Sequence, residues 1–488
     1  EPGRAVELLD EALTEAKERI DPASRERVSA LVAIATQLYD VDRPRTWEVM
    51  LDVVKAANAA KEYTGEDGRI STRFQTKNMT MASTSGAQSF DLTDIFTKLA
   101  REELQRAADL ARTFEANNPG IQVAITLYPS RGFANRVVTA ISAGQGPDVW
   151  YHYYAPDVAT QGFLQDITEY VEASGLADTW FPSAARRAVY DGRYYGVPRD
   201  AVSGFIAYNK DIFDAAGVAY PEEGWTVADY RDLAIQLTDA ENGIYGSGGI
   251  EGGDGCMQWS PFSFNLGTEI TSEDGRTVAG YMDTEASVNA MAWCLGLVTE
   301  DQVTAPADMA DQFGEITFMS GDVAMQSLSD WEIPALMEQT GFNWGVVAPP
   351  RFDENTDVIP WADSYVYYMW NGSQHKDAAW DFMEWLTGSE AQKLAAEAGV
   401  WSPNSPAVWE ELGWDEDPIK SVSYNQLVNS ERTPNYLRSQ FYFDCVGNQL
   451  TDIRTRWIEG GERDLTTMMA DSTAQAQQCL DDSYANLE

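Results

Sequence analysis

Apolar positions recur at helical spacing from the start of the chain. Leu8, Leu9, Ala12, Ala16 and Ile20 mark one run, and Leu31, Val32, Ala35 and Leu38 a second. Asp21-Pro22 between them reads as an N-cap followed by proline at the first helical position. Arg43-Pro44 opens a third run with Trp47, Met50, Leu51, Val54 and Ala57. An all-α module over residues 1–63 is predicted. Residues 64–101 begin with a polar, Ser/Thr/Gly-rich stretch and are expected to be a linker or junction. Beyond it the texture changes. Glu102 to Ala116 forms an amphipathic helix with Leu104, Ala107, Ala108, Ala111 and Phe114 on one face. Asn118-Pro119-Gly120 stops it, and Ile121, Val123, Ile125 and Leu127 alternate as a strand. An apolar helix over Val137 to Ile141 and a short strand Val149-Trp150-Tyr151 follow. Strands alternating with helices predict an α/β architecture with mainly parallel sheets.

Charge sharpens this division. Residues 1–113 hold 20 acids and 16 bases, which leaves 57 acids against 18 bases for the rest of a chain with net charge −43. All four cysteines, and every Trp except Trp47, fall in that second part. A surface this negative repels phosphate, so nucleic acid is excluded as a partner class. No run of apolar residues is long enough to span a membrane. The two histidines, His152 and His375, cannot supply a histidine-rich metal site, and the cysteines lack zinc spacing. No metal and no cofactor are therefore expected. An even cysteine count in an acidic, aromatic-rich chain reads as up to two disulfides in an exported protein.

Eight segments carry a resemblance. They are FEANNPGIQV at 114–123, AGQGPDVWY at 143–151, YYGVPRD at 194–200, AYNKDIFDAAGV at 207–218 and GWTVADYRDLAIQLT at 224–238. FMSGDVAMQSLSDW at 318–331, WGVVAPP at 344–350 and HKDAAWDFMEWLTGSEAQKLAAEAGVWSPNS at 375–405 complete the set. In this order they resemble the family-one extracellular solute-binding proteins of ABC importers, the carbohydrate-binding kind related to maltose-binding protein. The resemblance covers about residues 102–488.

It implies a two-lobed, periplasmic-binding-protein-like α/β fold with a ligand cleft and hinge, preceded by the helical module. The first lobe is expected at 102–203 and 352–398, the second at 204–351 and 399–488. Crossovers are expected after Arg199, between Pro349 and Pro360, and near Val400 to Pro406. The implied function is extracellular or periplasmic carbohydrate binding for an ABC transporter permease, by a monomer that does not span the membrane. A lipid anchor is compatible with a lipoprotein signal already removed. The implied pairing of cysteines is Cys445–Cys479 and Cys256–Cys294, each within one lobe.

Sugar recognition needs flat aromatic faces for the C–H side of a pyranose and carboxylates or amides for its hydroxyls. By resemblance, ligand contacts are expected from the loop after the GPD strand (Tyr151, His152, Tyr153) and from Trp331. Asp330 is expected to cap the helix that follows Trp331. Trp259, with neighbours Phe262 and Asn265, matches a third aromatic position. Arg199, Asp200, Asp363, Tyr365 and Trp401 are the remaining candidates at the crossovers.

The sequence departs from the family before Glu102, where a strand and a Gly-rich loop are usual. The first lobe either lacks that strand, or borrows one from FDLTDIF or GRISTRF, or the chain is a chimera joined near residues 100–114, the reading favoured by the composition. Two rival functions follow from the residues: a glycoside-processing enzyme, and a helical protein-interaction module fused to a solute-binding scaffold. No carboxylate pair has the spacing logic of the first.

Overall fold

The computed structural model describes residues 110–126, 133–248, 256–257, 262–305, 317–339 and 341–487. Before residue 110 it describes helix Arg25–Leu38, strands β1 (Ser71–Thr76) and β2 (Met79–Thr84), and residues 9, 12–17, 19–21, 24, 49, 52–53 and 56. Trp47 and Trp259 lie outside the described residues. Two units emerge. One comprises 1–109, 311–314 and 337–339, and the other the remainder.

In the first unit the described helical residues differ in detail from the expectation. Helix Arg25–Leu38 buries Val28, Leu31, Val32, Ala35 and Leu38 among Leu13, Ala16, Val49, Val53 and Ala56. Ala12, expected on the buried face, points outward, because Leu13 takes the position three residues before Ala16. Ser24 rather than Asp21 offers the side-chain oxygen at the helix start, accepting from Arg27 N–H at 3.3 Å. Within the expected linker, β1 and β2 pair antiparallel over their full length. Together they form a two-stranded sheet.

The second unit holds two sheets. The first-lobe sheet runs β3 (Val149–His152), β12 (Val366–Met369), β6 (Gly196–Pro198). A two-stranded ribbon, β4 (Val189–Tyr190) and β5 (Arg193–Tyr194), stands beside it. Alternation along β12 divides the lobe's core. Tyr367 and Met369 face Trp380, Met383 and Leu386 of helix Lys376–Thr387, and Val366 and Tyr368 face Val137, Trp150 and Phe163. Gly196 is required in β6, since a Cβ there would come within 2.6 Å of the Tyr367 carbonyl oxygen.

The second-lobe sheet is β10 (Trp344–Val347), β7 (Val202–Asn209), β9 (Val323–Ser329), β8 (Tyr245–Gly248), with β11 (Ala362–Asp363) also on β7. β7 is apolar on both faces and is covered on both. Ile206 packs with Ala324, Met325 and Val347, while Phe205 and Ala207 pack with Val323 and Leu328. The expectation of mainly parallel sheets fails among the described residues. Only β8–β9 is parallel, whereas β7 pairs antiparallel with β9, β10 and β11, and β12 does so with both neighbours. β7 and β12 are entered from interlobe crossovers rather than through βαβ units, so nothing forces them parallel. Residues 121–126, expected as strand, join no ladder.

Pairing also locates the crossings. The chain leaves β6 at Pro198 and is in the second sheet by Val202. On the return, Ala362 and Asp363 still pair with β7, so the first sheet is regained only at Val366, later than the expected 352. Cys256 is bonded to Cys294 and Cys445 to Cys479, with Cα separations of 6.1 and 5.4 Å. Peptide mapping without reduction should return both cross-linked pairs and no mixed species. No helix among the described residues is long and apolar enough to cross a membrane.

Candidate functional site

The crossovers are tied to one another by backbone groups. Arg199 N–H donates to Tyr365 O at 2.8 Å, and Ala201 N–H to Ser402 O at 3.2 Å. The buried Asn404 amide donates to Pro198 O at 2.7 Å, while its own N–H donates to Gln392 Oε1 at 2.9 Å. Phe181, Ala184, Ala201, Ala362, Trp409 and Leu427 form a small apolar core behind them. Residues far apart in sequence are thereby held together.

Arg199 is the centre of what gathers there. Its guanidinium lies 4.5 Å from the Tyr151 ring, 4.6 Å from Tyr365 and 5.2 Å from Trp401. Cation–π attraction strengthens as water is excluded, and this side chain is largely covered. Tyr153 adds an edge contact to Tyr365 at 5.4 Å. Tyr151 and Tyr153 stay open to solvent at 45% and 38% exposure, so their faces are available. Five candidates, Tyr151, Tyr153, Arg199, Tyr365 and Trp401, thus share one surface.

Asp200 serves that cluster from beneath. One carboxylate oxygen accepts from Arg199 Nε at 2.9 Å and the other from Tyr365 N–H at 2.6 Å. Burial works against the Arg199 charge, yet the Asp200 carboxylate holds the guanidinium above its ordinary range. Burial lifts the Asp200 carboxyl in turn, although Arg199 opposes that. With both oxygens engaged, Asp200 positions Arg199.

Asp363 is likewise engaged within the protein. Arg187 grips it with two N–H groups, one at 3.0 Å, and the Tyr436 hydroxyl donates to it at 2.8 Å. His152 is used differently again. Its ring stacks between Tyr153 and Tyr154, with centroids at 4.3 and 4.1 Å, and lies near-parallel to Phe133. Burial, and then the Arg187 charge, lower its pKa to about 4, so it is a neutral packing group at neutral pH.

Trp331 is 51% exposed, on the turn that follows β9. The expected cap is corrected: Ser329, not Asp330, caps this turn, in a capping box with Glu332. Asp330 is instead turned inward, where its Oδ1 accepts from Ser203 N–H at 2.7 Å. Asn265 exchanges two hydrogen bonds with Ile359, and Phe262 is core. Arg187, Tyr436 and the inward role of Asp330 were missed by sequence reasoning. The one available signal was the Arg186-Arg187 pair within an otherwise apolar stretch. A separate groove of about 1160 Å³ lies on the first lobe between helix Thr168–Ser174, the β4–β5 ribbon and helix Lys376–Thr387, and contains none of these residues.

Comparison with known proteins gives one consistent result. Residues 89–393 match the family described as bacterial extracellular solute-binding protein. The diacetylchitobiose binding protein of Streptomyces coelicolor is 32% identical over 322 residues, 62% of this chain and 71% of that protein. The maltotriose-binding protein of Pyrococcus abyssi is 25% identical over 304 residues, 60% of this chain. The chain spans 62% of the length of that relative. Among solved structures, the ABC substrate-binding protein of Listeria monocytogenes in complex with cycloalternan superimposes with a TM-score of 0.66 at 21% identity, over 77% of this chain and 96% of that one.

Proposed function

Because the chain belongs to the bacterial extracellular solute-binding protein family, we propose that it binds a sugar or oligosaccharide between its two α/β lobes and delivers it to an ABC importer permease outside the cytoplasm. The family consists of solute-binding transport proteins, and no catalytic step is assigned. The observation that carries this reading is the aromatic group of Tyr151, Tyr153, Tyr365 and Trp401 around Arg199 at the crossovers. Relatives named for maltotriose and diacetylchitobiose, and a structural neighbour holding cycloalternan, support the same ligand class.

Electrostatics favour a neutral ligand. Arg199 is matched by Asp200 and Arg187 by Asp363, so the site offers donors and aromatic faces without net charge. The unspent N–H groups of Arg199 can donate to hydroxyl oxygens while the rings cover the sugar's C–H face. Trp331, contributed by the second lobe, is read as the stacking surface opposite the Tyr151–Tyr154 loop. Closure of the lobes around ligand would turn on the residues near 199–201, 363–365 and 401–402.

A thermal-shift screen against a carbohydrate panel tests the ligand class, since ligand at 100 times its Kd adds about 2.7 kcal/mol of stability. Trp331→Ala should then weaken binding of the hit about thirtyfold, equivalent to about 2 kcal/mol of lost stacking. Its melting temperature should barely move, because a half-exposed indole leaves no cavity. Full affinity in a stable Trp331→Ala protein would remove Trp331 from the site. A panel without any hit would remove the sugar.

A further inference from the structure

Asp330 carries an acid into the hinge. It leaves the second-lobe sheet at the end of β9 and is only 2% exposed. Its Oδ1 is bound by Ser203 N–H at the start of β7, while Oδ2 is covered and without a hydrogen-bond partner. Ser402 of the third crossover lies beside it. One carboxyl group therefore sits between the start of β7, just past the first crossover, and the third crossover.

No cation attends it. From the first crossover Asp200 faces it, but Asp200 is held by Arg199. Asp363 on the return crossover is committed to Arg187 and Tyr436. On its own turn, Glu332 accepts from Ser329 N–H. Helix Lys420–Asn429 packs on β7, yet its Lys420 sits 3.3 Å from the Trp414 ring and its Tyr424 bonds Glu410. A charge on Asp330 would thus be buried beside a like-charged neighbour, answered among the described residues by the Ser402 side chain, the Ser203 N–H and its own backbone but by no cation.

We propose that Asp330 is a proton-gated positioning residue of the hinge, neutral when the crossovers pack as seen here and ionised when they part. Burial, with the Asp200 carboxylate adding to it, raises its pKa to about 7. The sign follows. The packed hinge binds a proton that an opened, hydrated Asp330 releases at an ordinary carboxylate pKa. The packed state is fully favoured below that ordinary value and loses its advantage as pH rises through about 7. Tighter ligand retention at acid pH is the consequence, and only that consequence rests on the ligand lying between the lobes.

The test reads the hinge without ligand, so its failure is separable from failure of the sugar assignment. Small-angle scattering of the full chain would be recorded across the pH range around 7, with melting curves alongside. The unmutated protein should expand and its melting temperature fall progressively from the ordinary carboxylate range up to about pH 7, levelling off above it, whereas Asp330→Asn should keep the acid-side values throughout. Identical transitions in both proteins would overturn the proposal. Should Asp330→Asn fail to fold, infrared difference spectra of the unmutated protein decide the matter. A protonated carboxyl band that disappears near pH 7 is expected, and its absence would overturn the proposal equally.

Discussion

Asp363→Ala should lower stability by about 3–5 kcal/mol, the range found when one partner of a buried ion pair is removed. Arg187 is almost wholly buried and its guanidinium cannot be neutralised by losing a proton. Burial opposes that charge, and the Asp363 carboxylate is what outweighs it. Truncation strands the Tyr436 hydroxyl and the Ser364 N–H as well, at 2.8 and 2.7 Å from the lost oxygens. Arg187 also donates to Tyr154 O at 3.1 Å and to Tyr153 O, so the aromatic loop should loosen with it. Replacing both members by apolar residues of similar volume should recover much of the loss, since the cost lies in the orphaned charge rather than in a large net attraction. Denaturant titration of the two single variants and the double variant measures this directly. A single-variant cost under about 1 kcal/mol would place the pair with solvent-screened surface bridges instead.

The same pair shows where sequence reading reaches its limit. Asp363 was legible as a crossover residue, but its partners Arg187 and Tyr436 lie 176 and 73 positions away. No local spacing encodes contacts of that range, so a carboxylate already spent on structure looks like one free for ligand. His152 shows a related limit. Alternation along Val149–His152 predicts sides of a strand, whereas the ring stacks on Tyr153 and Tyr154 and lies parallel to Phe133 of helix Phe133–Ser142. Open aromatics were legible at Tyr151 near the end of β3, at Tyr153 just beyond it, and at Trp331. Among elements, helices with a clear apolar stripe were found, as in Phe133–Ser142. The hairpin of β1 and β2 was hidden by its Ser/Thr content, read as loop although threonine also suits strands. Ile121 to Ile125 alternates as a strand should, yet alternation makes a strand only where an edge is available to pair.

Removing the two disulfides should have the other large effect, and it should fall on the second lobe alone. Cys256–Cys294 closes a loop of 38 residues and Cys445–Cys479 one of 34, each contributing about 2–4 kcal/mol by restricting the unfolded chain. Both fasten the same core. Cys256, Cys294 and Cys445 belong to the apolar cluster that contains Leu297, Leu450, Ile453, Met469 and Leu480, with Cys479 packed against it. Helix Glu285–Thr299, which carries Cys294, packs on helix Leu465–Ala485, which carries Cys479. The Cys445→Ser, Cys479→Ser protein should therefore melt lower while keeping ligand affinity, because the aromatic group around Arg199 shares no side chain with that cluster. Restoring an apolar side chain with Cys445→Ala, Cys479→Ala should regain little, since the loss lies mainly in the unfolded state rather than in packing. The buried Cys256–Cys294 bond should also resist mild reductant in the folded protein and yield to it only once denaturant is present. A reduced protein with unchanged melting would mean that the helical core holds itself without either bond. A drop in affinity matching the drop in stability would mean instead that the second lobe's helices position the binding surface.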